Sequence, residues 1–121
     1  TATATATAMV QPPPSPVPLR EARAAAHAHP GDPKALENWT RAAFRAGDLR
    51  EARRAAAAWE LRDGTLEPRL VLAEILDASS RRSEARAIMQ EWLESHPDSS
   101  DARAELTKLS SEGGSREIAH R

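Results

Sequence analysis

The sequence predicts an all-α protein of five or six helices, paired as antiparallel hairpins. Three observations lead there: a composition that favours helices, breaks at regular intervals, and an internal repeat. The 121 residues are enough for one domain. Alanine and leucine dominate the apolar set, with one Phe, no Tyr, and few Val or Ile. That bias favours helices over strands. Alanine faces let helices approach closely but bury little area per residue, so the core is expected to be thin and anchored by Trp39, Trp59 and Trp92.

Taken in order, residues 1–18 differ from the rest and read as a low-complexity linker or tail. Thr1 to Ala8 is a strict Thr-Ala alternation, read as a linker or an added segment without functional weight. Gln11 to Pro18 holds five prolines in eight residues. Proline fixes φ and removes amide donors, so this stretch is expected to be extended polyproline II, a semi-rigid spacer. Its Pro13-x-x-Pro16 spacing also fits a ligand for a proline-binding groove.

From Leu19 onward the apolar residues follow a helical period, with breaks between helices. His29-Pro30-Gly31-Asp32-Pro33 is the first break, with Asp32 as a cap and Pro33 in the first turn. Ala46-Gly47-Asp48 is the second, and Asp48 with Glu51 fits a capping box. Asp63-Gly64-Thr65, Ala78-Ser79-Ser80 and His96-Pro97-Asp98-Ser99-Ser100 follow, and Gly113-Gly114 is expected to end the last helix. The predicted helices are 19–29, 33–46, 49–62, 67–78, 81–95 and 100–111, with a polar tail over 112–121. Leu49, Ala52, Ala56 and Trp59 form one apolar stripe; Ala85, Ile88, Met89, Trp92 and Leu93 form another. The expected core is Leu36, Trp39, Ala52, Trp59, Leu72, Leu76, Ala85, Met89 and Trp92.

The hairpins repeat. Arg50-Glu51-Ala52-Arg53 answers Ser83-Glu84-Ala85-Arg86. The step from Ala52 to Ala85 is 33, and the step from Trp59 to Trp92 is the same. Pro30 and Pro97 are 67 apart, and Leu19-Arg20-Glu21-Ala22-Arg23 echoes the same helix start. A helical period near 34 is the length of the tetratricopeptide repeat. The run Ala43-Phe44-Arg45-Ala46-Gly47-Asp48-Leu49-Arg50-Glu51-Ala52 resembles the junction between the two helices of that repeat. The family's large apolar residue, turn glycine and early alanine fall on Trp39, Gly47 and Ala52. In the next unit they fall on Leu72, Ser80 and Ala85, with Pro97 closing the repeat. The resemblance covers about residues 19–111 and implies a short right-handed superhelix. Departures are Gly64 for the closing proline, Ser80 for the turn glycine, and Trp59 and Trp92 where the family has small residues. Ala43 and Ala56 stand where it has large ones, so volume is exchanged across one core layer. The helix at 100–111, with Asp101, Arg103, Glu105 and Lys108, fits a solvating cap.

The chain shows no catalytic constellation and no cofactor motif, and the expectation is a non-enzyme. His27 and His29 are two apart and point to different sides of a helix, so they do not share a metal. Carboxylates sit beside arginines at helical spacing, Glu51 near Arg54 for example, as solvated faces do. A net charge of −1 provides no field for nucleic acid, and no apolar run spans a membrane. The N-terminus lacks a signal-peptide pattern, and the absence of cysteine excludes disulfides and thiolate metal sites. The expected partner is a protein or peptide. The resemblance puts the first helix of each pair on a concave groove, displaying Lys34, Glu37, Arg41, Phe44, Arg45, Leu70, Glu74 and Asp77. Glu37 and Arg41 do not match the family subset that clamps C-terminal carboxylates. The alternative is self-association into a homo-oligomer through exposed repeat ends.

Overall fold

The computed structural model describes residues 17–119, with side chains as far as residue 111. The Thr-Ala alternation, most of the proline segment and His120 lie outside the described residues. The described chain is all-helical: α1 (Leu19–Ala28), α2 (Pro33–Arg45), α3 (Leu49–Arg62), α4 (Glu67–Ala78), α5 (Arg82–Ser95) and α6 (Ser100–Ala119). Loops of a few residues make consecutive helices neighbours, and each packs on the one before it, with α2 on α3 the most extensive pair. α6 also touches α4.

Local chemistry accounts for the boundaries. The Asp32 carboxylate accepts from the Lys34 amide at 3.0 Å and Pro33 opens α2. Asp48 accepts from the Glu51 amide at 3.0 Å. The reciprocal half of a capping box does not form, because the Asp48 amide donates to the Ala43 carbonyl. That bond belongs to a C-terminal motif present twice. Gly47 has φ 81° and its amide donates to Phe44; Ser80 has φ 63° and its amide donates to Asp77. Asp48 donates to Ala43 and Arg81 to Leu76. Both helices therefore end in a left-handed residue that satisfies otherwise orphaned carbonyls. Positions 43, 44, 47 and 48 of one motif answer 76, 77, 80 and 81 of the other, the same step that separates the two tryptophans. The repeat therefore extends to backbone conformation.

One predicted boundary is corrected. Gly113-Gly114 does not end the last helix, which runs on to Ala119. Glycine costs about 1 kcal/mol in a helix relative to alanine but keeps its amide donor, so it weakens a helix without breaking it as proline does.

The core is a column of alanines keyed by a few large side chains. Ala43, Ala52, Ala55, Ala56, Ala73 and Ala85 are fully buried, as is Met89. Leu36, Trp39, Trp59, Leu72 and Leu76 are buried with them. Trp92 corrects the expected equivalence of the two repeat tryptophans: Trp59 is 2% exposed, whereas Trp92 is half-buried at the edge of the core. Glu105, read as part of the exposed side of α6, is also half-buried.

Candidate functional site

The eight residues expected to line a groove lie on α2 and α4. Lys34, Arg45 and Glu74 are exposed, while Glu37, Arg41, Phe44, Leu70 and Asp77 are half-buried. Phe44 and Leu70 rest against the core and complete it from this side. One contact joins the two helices directly: the Arg41 guanidinium donates to Glu67 at 2.8 Å. Arg41 also donates to Glu37 at 2.9 Å and lies 5.6 Å from the Trp59 ring centre. Burial acts against its charge, yet the bonds from Glu67 and Glu37 raise its pKa above the ordinary value. Asp77 is bound to Arg82 of α5 at 2.6 Å.

Charge on this side of α2 and α4 is thus partly consumed inside the protein. Arg41, Glu67 and Asp77 are paired within the fold, and Lys34 pairs with Glu37 at 3.6 Å. Glu74 and Arg45 keep exposed charges, Arg45 touching the Val17 carbonyl at 3.4 Å. α6 repeats the register of α2 and α4. Ser100, Arg103 and Thr107 stand one repeat after Glu67, Leu70 and Glu74, and all three are exposed. A cleft along α6 is lined by these residues and Ala104.

A second polar centre was not anticipated. Glu51 was expected to pair with Arg54 on a solvated face. Instead the Arg23 guanidinium of α1 grips Glu51 through two bonds of 2.6 and 2.8 Å, and the Trp39 indole N–H donates to it at 2.7 Å. One carboxylate thereby ties α1, α2 and α3 together. The Arg23 bonds are the main cause that lowers its pKa to about 2; burial opposes them and the Trp39 bond adds to them. His27 packs edge-on against the same Trp39 ring, 5.4 Å between centres.

The third feature lies at the hairpin ends. His96 stacks on Trp92 with ring centres 3.8 Å apart and planes 7° from parallel, and Arg69 lies 5.0 Å from the Trp92 ring centre. Two clefts, of about 430 and 460 Å³, share Trp92, Ser95 and His96 as a wall.

Among the described residues, no group of three or more His, Asp or Glu stands close enough to hold a metal ion. No described helix is long and apolar enough to cross a membrane. No family model matches this chain, and no curated protein matches it.

Proposed function

We propose that this domain is a non-catalytic protein–protein interaction module of the tetratricopeptide type, binding an extended polypeptide across the exposed side of α2, α4 and α6. The observation that carries this reading is the repeated row of side chains. Residues 34, 37 and 41 of α2 answer 67, 70 and 74 of α4 and 100, 103 and 107 of α6 at steps of 33. The row carries exposed charge at Lys34, Glu67 and Glu74 beside the half-buried Leu70, and Phe44 lies one turn beyond Arg41, so a polar surface has apolar footholds. The binding expected of such a face is transient and salt-sensitive, roughly micromolar.

The internal ion pairs decide which substitutions test it. Arg41 supports the fold, so its reversal would confound binding with stability. Lys34 and Glu74 are the informative positions. Peptides selected from a random library on the wild-type protein are measured against Lys34→Glu, Glu74→Lys and, as a control on the other side, Arg54→Glu. Binding is expected to weaken several-fold in the first two and to hold in the third. Equal affinity in all three folded proteins would remove the site from this face.

Self-association is the second reading. Ala24, Ala25 and Ala28 of α1 are exposed, a small-residue surface at one end of the stack on which a second copy could pack.

A further inference from the structure

The three tryptophans carry one indole N–H each. Trp39 donates to Glu51 at 2.7 Å and Trp59 to Asp63 at 3.2 Å, so each buried ring meets a carboxylate. Trp92 occupies the Trp59 position one repeat later. Four places beyond Trp59 stands Asp63; four places beyond Trp92 stands His96. His96 covers a face of the ring, and its Nδ1 lies 3.2 Å from the Trp92 backbone carbonyl, so it provides no acceptor at the indole edge. Among the described residues the Trp92 N–H has no hydrogen-bond partner. It belongs to a half-exposed ring at the wall shared by the two clefts.

We propose that this cleft binds an Asp or Glu side chain of a partner polypeptide, whose carboxylate accepts the Trp92 N–H as Asp63 accepts that of Trp59. The surroundings suit such a group. Arg69, over the Trp92 ring, provides a cation; it donates to the Thr65 carbonyl at 2.7 Å and its ion pair with Glu60 is long, at 3.5 Å, so the remaining N–H groups of its guanidinium retain donor capacity. Leu66 and Pro97 provide apolar contact for the residues flanking the acid. Glu91 and Asp98 also line the clefts and oppose an anion. Both are exposed, where water and salt screen them, whereas Arg69 is half-buried. Two clefts of about 430 and 460 Å³ that share this ring in their walls have room for several residues of an extended chain, more than a lone small carboxylate fills. This site lies at the hairpin ends and does not depend on the proposed α2–α4–α6 face.

The test uses the three indole N–H signals of the ¹⁵N-labelled full chain, assigned with single Trp→Phe variants. The probes are the blocked tripeptide acetyl-Pro-Asp-Leu-amide and its Asn counterpart. The Asp peptide is expected to move the Trp92 signal downfield, with a dissociation constant on the order of millimolar for one charge-assisted bond in a small contact. The Asn peptide is expected to have little effect, and Trp39 and Trp59 report that the fold is intact. His96→Asp restores the carboxylate of the preceding repeat and is expected to shift the Trp92 signal in advance and abolish the peptide response. Equal responses to the two peptides, no movement at about 10 mM, or an undiminished response in His96→Asp would each overturn the proposal. So would movement caused only by raising the protein concentration, which would assign the cleft to a second copy.

Discussion

At the scale of single residues, Glu51 carries more than its place in the sequence suggests. Its neighbour Arg54 is three positions away, but the cation that holds it is Arg23, 28 residues distant and on another helix. The Glu51 pKa falls from an ordinary 4.5 to about 2 on folding. A carboxylate with a lowered folded pKa stabilises the fold fully above the unfolded value, and that contribution disappears as pH falls through the interval between the two. The melting temperature is therefore expected to drop between about pH 5 and pH 2, and to drop less steeply in Glu51→Gln, which keeps an acceptor for Trp39 without the charge. Glu51→Ala leaves the nearly buried Trp39 N–H unmet and is expected to cost about 2 kcal/mol in urea unfolding. A second expectation concerns the paired helix ends. Ser80 holds a left-handed conformation that glycine adopts without strain, as Gly47 does at the same place in the preceding repeat. Ser80→Gly should stabilise by about 0.5–1 kcal/mol and Gly47→Ala destabilise by about 1 kcal/mol. No atom lies within 4 Å of a Cβ built at Gly47, so the cost there comes from backbone conformation and not from crowding.

At the scale of elements, the two tryptophans at equivalent positions separate packing from sequence periodicity. Trp59 lies in the middle of the stack, and its replacement by alanine should cost about 3–5 kcal/mol. Trp92 is half-buried at the edge of the core with the His96 ring stacked on it, and Trp92→Ala should cost less, about 1–2 kcal/mol, since the cost scales with the area buried. Equal losses in denaturant titrations would mean that the half-exposure of Trp92 is not maintained in solution. The repeat places both rings at the same helical phase, but it does not encode how much is stacked on either side. Helix starts were legible because Asp32-Pro33 and Asp48 act locally, within one turn. The extent of α6 was not, because two glycines weigh against a helix without preventing it. The positions of these eight residues on α2 and α4 were legible, but their pairing was not. Arg41 finds Glu67 26 residues on, which no i+3 or i+4 pattern reports. The Trp92 cleft also escaped the sequence, whose one available signal was the exchange of Asp63 for His96 at matched positions.

At the scale of the whole molecule, contacts run almost entirely between consecutive helices. Such a stack is stabilised by neighbours, so helices with one neighbour open more readily than those with two. Amide hydrogen exchange is expected to be slowest in α2, α3 and α4, where Glu51, Trp39 and Trp59 lie, and faster in α1 and α6. Uniform protection across all six helices would instead indicate a single cooperative unit. The same wiring gives the Arg41–Glu67 pair a mechanical role. α2 and α4 are held to each other chiefly through α3, so the angle between the two hairpins is a soft coordinate, and this ion pair is a tie across one side of it. Glu67 is 53% exposed at its side chain, which leaves the tie open to screening. Raising ionic strength is therefore expected to slacken the tie and let the two hairpins move apart, read as a larger radius of gyration in solution scattering at high salt, with no such change in Glu67→Gln.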